Sequence, residues 1–337
     1  MSIEIIIYFT LSLLIIFLAT ITSYKLDLTD LPNNRKIHSK ATAYTGGISI
    51  SVVLLIALFI FDLWDKYLSL ILSMSFLISI VGFIDDKYNL NTGGKLSLQT
   101  IPIFYLVVLE NLTLSNIGDY NYFIIEIGNF AIPFSLLCVL FLINSFNYFD
   151  GMDGTLSFTT ISVLFILFIL VPNNNFKLFL IILFIPIAIF LCFNFSLFNL
   201  PKLFLGDSGS LLLGFIISFI LIYLSKENIV HPILLAWSVA IFVYEFLSIN
   251  LIRLKRKKDP FKPGQDHLHH ILYSKIKSIF FTNLIIFTLN ILFFIIGYIS
   301  FQYVNPLASL LMFVSLFFIF LIIRNKYTKA FTKIKII

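Results

Sequence analysis

The sequence predicts an all-α integral membrane protein. About eleven transmembrane helices form a single polytopic domain over 1–337, with the N-terminus outside and the C-terminus cytoplasmic. Three observations lead there. Hydrophobic residues make up 59% of the 337 and charged residues 12%, with a mean hydropathy of +1.01. No soluble fold of this length hides that much apolar surface. Apolar runs of spanning or near-spanning length recur from end to end. Finally, Lys and Arg segregate into alternate loops.

The runs fall at about 3–22, 47–62, 67–84, 99–113, 130–146, 155–172, 177–197, 208–224, 231–252, 278–299 and 303–323. The first lacks a basic flank and a small-residue cleavage site, so it is expected as a retained helix and not a signal peptide. The run at 99–113 is short and contains Pro102 and Glu110. With the N-terminus outside, outer segments hold only Lys66, Lys177 and Lys226. The other twenty of the 23 Lys and Arg fall inside, as the positive-inside rule requires. The largest inner loop, 253–277, is basic and His-rich. The tail from Arg324 to Lys335 reads as stop-transfer charge attracted to anionic lipid. Cys138 and Cys192 lie in apolar runs, which excludes a disulfide framework and a Cys-based metal site. The 40 Phe residues read as lipid-facing bulk or codon bias. No repeat, linker or separate soluble domain is visible, and no nucleic-acid partner is expected.

Acid is scarce, at 17 Asp plus Glu, and five Asp gather in three short loops. Carboxylates at a membrane boundary are costly unless they meet water, a cation or a partner. The threading places all five on the cytoplasmic side. Asp85 and Asp86 are adjacent, so they cannot both point the same way from a helix; the blander alternative is a solvated turn. Asp150 and Asp153 share one face if a helix starts there, and Gly151 and Gly154 let a ligand approach the backbone. One of them could be a helix cap, but two Asp with Asn144 and Asn147 exceed what capping needs. Gly206-Asp207-Ser208-Gly209-Ser210 opens a helix whose free N–H groups suit an anion. Asp207 would repel a bare phosphate there unless a divalent cation sits between them. Mg²⁺ takes one or two carboxylates, waters and substrate phosphates, so not all five Asp are expected as direct ligands.

Asp266-His267-Leu268-His269-His270 invites a zinc reading. No Cys is near, however, and recognition of a phosphorylated or sugar ligand fits a donor-rich cluster better. Arg35-Lys36-Ile37-His38, followed by Gly46-Gly47, reads either as topology charge or as a phosphate-binding loop. Glu245 lies inside an apolar helix. It is expected to pair with a basic loop residue or to close a site wall.

Five motifs in chain order now resemble one family, the polyprenyl-phosphate N-acetylhexosamine-1-phosphate transferases. They are Asp30-Leu31-Pro32-Asn33-Asn34-Arg35-Lys36-Ile37-His38 with Gly46-Gly47, then Asp85-Asp86, then Asn144 through Gly154. Phe204 through Ser210 and His267-Leu268-His269-His270 complete the set. The His-x-His-His form looks like the bacterial branch acting on UDP-N-acetylglucosamine or related UDP-sugars. The phospho-MurNAc-pentapeptide branch typically shows three consecutive His. Two positions depart from the family pattern: Ala41-Thr42-Ala43, where relatives often have Pro, and Glu245, where they often have Asp.

The resemblance implies transfer of a sugar-1-phosphate from a UDP-sugar to undecaprenyl phosphate, with release of UMP. The reaction would occur at the inner face of a bacterial cytoplasmic membrane and depend on Mg²⁺, with Mn²⁺ as a substitute. It implies Asp207 as metal ligand with Asn147 second. Asp85, supported by Asp86, would position or deprotonate the lipid phosphate. Lys36, Asn144, Asp150 and Asp153 would hold nucleotide and diphosphate, and His267, His269 and His270 sugar and phosphate. A homodimer is compatible with it. A cation-coupled transporter, the rival from another class, would place its acids near the bilayer midplane in repeated halves.

Overall fold

A computed structural model describes residues 2–31, 41–62, 65–259, 264 and 266–334. In chain order the helices are α1 (Ser2–Lys25), α2 (Gly46–Ile60), α3 (Lys66–Tyr88), α4 (Thr92–Phe104), α5 (Ala131–Asn147), α6 (Thr155–Leu170), α7 (Asn174–Asn194), α8 (Gly206–Lys226), α9 (Pro232–Ser238), α10 (Ala240–Lys255), α11 (Leu268–Ile276), α12 (Ile279–Tyr303) and α13 (Pro306–Ile334). The strands are β1 (Thr29–Asp30), β2 (Thr42–Ala43), β3 (Asn116–Asp119) and β4 (Ile124–Glu126).

Each apolar run predicted from sequence is helical over most of its length, but the count of eleven spans is not reached. Among the described residues, eight helices are long and apolar enough to cross a membrane. The number is nine if α9 and α10, bent by 71° at their break, form one span. The two that fall short are α2, with 15 residues, and α6, with 16. At a helical rise of 1.5 Å they reach roughly 22–24 Å, against ~30 Å of hydrocarbon. Their ends explain their length. Gly154, left-handed at φ 71°, precedes α6, and Val171 leaves it extended before Pro172. The short run at 99–113 belongs to a span that begins earlier, at Thr92, where Asn91 caps α4 by accepting from the Gly94 N–H at 2.7 Å. Past Pro102 the helix widens into a π turn over Tyr105–Leu109.

The chain divides into two compact units. The first comprises Met1–Leu112, Cys138–Ile143 and Pro172–Ile220. Here α1 is tied to α7 by the Tyr8 hydroxyl, which donates to the Ile182 carbonyl at 3.1 Å. Ser79 of α3 donates to Ser51 of α2 at 2.8 Å. β1 pairs antiparallel with β2, and Ala43 bridges to Leu203. This pairing lays the 203–205 backbone across the start of α2. The Gly46 and Gly47 N–H groups then donate to the Phe204 and Leu205 carbonyls at 3.0 and 2.8 Å.

The second unit comprises Thr113–Leu137, Asn144–Val171 and Leu221–Ile337. Its core gathers Tyr120, Trp237, Tyr244 and Phe294, with Trp237 Nε1 donating to Ser309 at 2.9 Å and the Tyr244 hydroxyl to the Phe313 carbonyl at 2.7 Å. The break between α9 and α10 frees backbone groups that lipid cannot satisfy. Buried Asn290 of α12 takes them. It accepts from the Ile241 N–H at 3.3 Å and donates to the Ser238 carbonyl and the Ser162 hydroxyl, both at 2.9 Å. Asn290→Leu therefore strands two backbone groups and should destabilise the protein by roughly 2–4 kcal/mol. Denaturation in detergent micelles checks this, and a loss under about 1 kcal/mol would contradict it.

Candidate active site

In the first unit, α3 carries Asp85 and Asp86 in its last turn and ends at Asn89, left-handed at φ 50°. That reversal sends the chain directly into α4, so Lys95 stands one turn into the next helix. Asp85 and Asp86 diverge. Buried Asp85 accepts from the Leu90 N–H at 2.8 Å and meets the Lys95 ammonium at 2.7 Å. Asp86 reaches the first turn of α8, where it accepts from the backbone N–H groups of Asp207 at 2.8 Å and Ser208 at 3.2 Å. The anion at this helix N-terminus is thus the Asp86 carboxylate, where the sequence suggested a phosphate.

Glycines permit the approach. Gly206 is left-handed at φ 74°, and a Cβ there would lie 2.6 Å from the Asp86 carboxylate and 2.7 Å from the Tyr44 carbonyl. On α3, a Cβ at Gly82 would strike the backbone of Asp207 and Ser208.

Lys95 completes the cluster. Its ammonium lies 2.7 Å from Asp207 as well as from Asp85. Two carboxylates from residues more than a hundred positions apart therefore converge on one cation. Among the described residues no group of three or more His, Cys, Asp or Glu side chains forms a metal cage. Mg²⁺ does not need one: two carboxylates with water and substrate phosphate suffice. An ammonium already shared by Asp85 and Asp207 shows that their oxygens can meet across a single cation, so the donor set fits.

The second unit holds the other predicted residues. Asn144 and Asn147 lie at the C-terminal end of α5. Asp150 and Asp153 sit in the turn before α6, not on one helical face, because the left-handed Gly154 delays the helix to Thr155. Asn283 of α12 fixes this turn, donating to the Asp153 carbonyl at 2.8 Å and accepting from the Thr155 hydroxyl at 2.7 Å. His269 and His270 face the same turn. A Cβ on Gly151 would lie 2.5 Å from His269 Nε2 and 3.3 Å from His270 Nε2. The His267 and His269 rings are parallel with centroids 5.8 Å apart, and Tyr148 packs edge-on against His267 at 4.8 Å. His267 Nδ1 and His269 Nε2 are buried with no hydrogen-bond partner, so polar capacity is left for a ligand. Lys36 lies outside the described residues.

Burial pushes both His267 and His269 below the ordinary 6.5. For His267 the nearby Glu245 opposes this; for His269 the neighbouring His270 and His267 reinforce it. Burial also raises the Asp266 carboxyl, but the hydrogen bond and charge of Arg253 outweigh it and hold it below its usual range. The sign for stability follows. Above pH ~6.5 both histidines are neutral in folded and unfolded chains and contribute nothing. Below it the unfolded chain takes up protons that the folded pocket refuses, so stability falls as the pH drops. His269→Gln should flatten the decline in thermal midpoint between pH about 6.5 and 5; an unchanged slope would count against a neutral, buried His269. Asp266 loses its contribution only at more acidic pH, below this window.

Sequence reasoning missed Lys95, Arg253, Asn283 and Arg324. Lys95 carried a readable signal: a lysine in the first turn of a helix opposes the helix dipole, so it needs an acid elsewhere.

The profile of glycosyl transferase family 4 matches residues 68–225, the stretch that carries Asp85, Asp86, Lys95 and Asp207. Curated relatives extend the likeness. The undecaprenyl-phosphate alpha-N-acetylglucosaminyl 1-phosphate transferase of Yersinia pestis is 28% identical over 279 residues, covering 81% of this chain and 76% of that protein. The chain is similar to glycosyl transferase family 4 over that stretch, and its likeness to these relatives runs over most of its length. The protein of the same name from Escherichia coli K12 is 26% identical over 80% of the chain and 76% of its own length. A Bacillus subtilis relative, named probable undecaprenyl-phosphate N-acetylglucosaminyl 1-phosphate transferase, is 28% identical over 95% of the chain and 90% of its own length. This longer match includes the His-x-His-His segment, which lies beyond the family profile. With its apolar helices of spanning length, the chain described here is a multi-pass membrane protein.

Proposed function

We propose that the chain transfers N-acetylhexosamine-1-phosphate from a UDP-sugar, UDP-N-acetylglucosamine or a close relative, to undecaprenyl phosphate. UMP is released, and the product begins a cell-surface polysaccharide at the cytoplasmic face of the bacterial inner membrane. The observation that carries this reading is the convergence of Asp85 and Asp207 on one cation. The names of the relatives supply the acceptor and the class of sugar.

In the reaction an oxygen of the prenyl phosphate attacks the phosphorus attached to the sugar. The bond to the bridging oxygen breaks, and UMP leaves with its electron pair. A phosphate monoester loses its second proton near pH 6, so the acceptor reaches the site as a dianion. Asp85 need not act as a strong base and serves to position. Asp207 and Asp85 are the carboxylates we assign to Mg²⁺, which when bound neutralises the pyrophosphate and the charge spread in transfer. Lys95 supplies a further positive charge. Asp86 holds Asp207 in place through the backbone of α8. We assign the His267, His269 and His270 pocket with the Asp150 turn to the sugar nucleotide. The imidazoles of His267 and His269, held neutral by burial, can donate to sugar and phosphate oxygens.

Purified protein given undecaprenyl phosphate with UDP-N-acetylglucosamine or UDP-MurNAc-pentapeptide tests the donor. UMP release with the first and not the second is expected. The reverse preference would assign the chain to the pentapeptide branch.

A further inference from the structure

The histidine motif is held from both sides by charge buried in the second unit. Glu245 of α10 is 1% exposed and Arg324 of α13 is 2% exposed. They pair through two contacts, Nε to Oε2 at 2.8 Å and Nη2 to Oε1 at 2.9 Å. Neither residue stops there. Glu245 Oε1 accepts from the Leu268 N–H at 2.8 Å, and Arg324 Nη2 donates to the Asp266 carbonyl. The Asp266 side chain is itself gripped by Arg253, at 3.2 and 2.6 Å. The residue between those two anchors is His267. Eight residues on, Lys275 of α11 lies over the Tyr327 ring of α13, 3.9 Å from its centroid.

We propose that Arg324 is a positioning residue for the donor-substrate pocket: with Glu245 it clamps the Asp266–Leu268 backbone and thereby aims His267, His269 and His270. The physical ground is the choice of groups. A buried ion pair is a poor way to add stability, since its desolvation offsets the attraction and apolar replacements often serve as well. This pair spends its remaining hydrogen-bonding capacity on the backbone flanking one histidine and on Thr328, the latter at 2.5 Å. It also satisfies the first N–H of α11, which lacks a side-chain cap at His267. If the clamp opens, His269 and His270 lose their alignment on the Asp150–Gly151 turn.

The inference rests on the assignment of the histidine pocket to the sugar nucleotide, so the test reads activity and backbone protection separately. Wild type, Arg324→Met and Arg324→Lys are compared for UMP release at varied donor and varied lipid. Hydrogen exchange is followed in the peptide covering 266–271. Arg324→Met should raise the donor KM at least tenfold, leave the lipid KM within about twofold, and speed exchange at 266–271 at least tenfold. Exchange in α1–α3 should be unchanged. Arg324→Lys retains one of the contacts and should recover most of both effects. Should Arg324→Met fail to fold, Arg324→Lys decides, with intermediate donor KM and exchange expected. Wild-type exchange at 266–271 in the folded variants would overturn the clamp. Faster exchange with no change in donor KM would overturn its role in donor binding. Faster exchange in a protein whose wild type transfers no sugar-phosphate would leave the clamp standing and remove the donor assignment.

Discussion

Asp207→Asn should lower the turnover of UMP release by about 10²–10³, the loss typical of removing one preorganised electrostatic contact to a transition state, or by more if the cation is lost as well. The fold should survive. The Asp207 backbone N–H still donates to Asp86, and that bond does not involve the substituted side chain. The amide keeps the volume and one oxygen but removes the charge that answers both Lys95 and a divalent ion. Insertion, yield and thermal midpoint should therefore stay close to wild type while turnover collapses. Titrating Mg²⁺ separates the two roles: the variant should require more metal for the activity that remains. Near-normal turnover at ordinary Mg²⁺ would remove Asp207 from the metal assignment.

Lys95→Met should produce the second large effect, and on stability as much as activity. Without the ammonium, Asp85 and Asp207 face each other with no cation between them, and Asp85 is buried. Breaking a fully buried pair costs about 3–5 kcal/mol. The Asp207 and Lys95 side chains keep 32% and 18% of their exposure, so screening by water reduces this to roughly 1–3 kcal/mol. Millimolar Mg²⁺ should return much of the loss, because a divalent ion satisfies the same two carboxylates. Thermal unfolding with and without Mg²⁺ checks both statements. A variant as stable as wild type, or one indifferent to Mg²⁺, would show that the two acids do not form a cation site.

The helices were largely legible. Long apolar runs in a chain with this composition have few alternatives in lipid, because only helices satisfy their own backbone there. What failed was length. The limits of α2 and α6 are set by the left-handed Gly154, by Pro172 and by the 203–205 backbone across Gly46, and a hydropathy run reads straight through such features.

The acidic loops were legible as chemistry because carboxylates are scarce and costly at membrane boundaries. Their partners were not. Asp86 caps the first turn of a helix through the Asp207 N–H, 121 residues away, and Lys95 bridges acids from two other helices. Basic residues in this chain carry two meanings, topology signal and ion-pair partner. Counting them for orientation hid the second meaning for Lys95, Arg253 and Arg324. Glu245 was expected to pair with a basic loop residue or close a site wall; its partner, Arg324, stands instead on the last helix, 79 positions away.

The most direct test of the central claim follows the phosphorus. UDP-N-acetylglucosamine labelled on the phosphate attached to the sugar is incubated with the protein and undecaprenyl phosphate, and the label is traced after extraction. Transfer of the sugar-1-phosphate predicts that this label enters the lipid, while label on the other phosphate stays in aqueous UMP. If the sugar reaches the lipid while both labels remain in water as UDP, the protein cleaves the sugar–oxygen bond, and the proposed reaction is wrong.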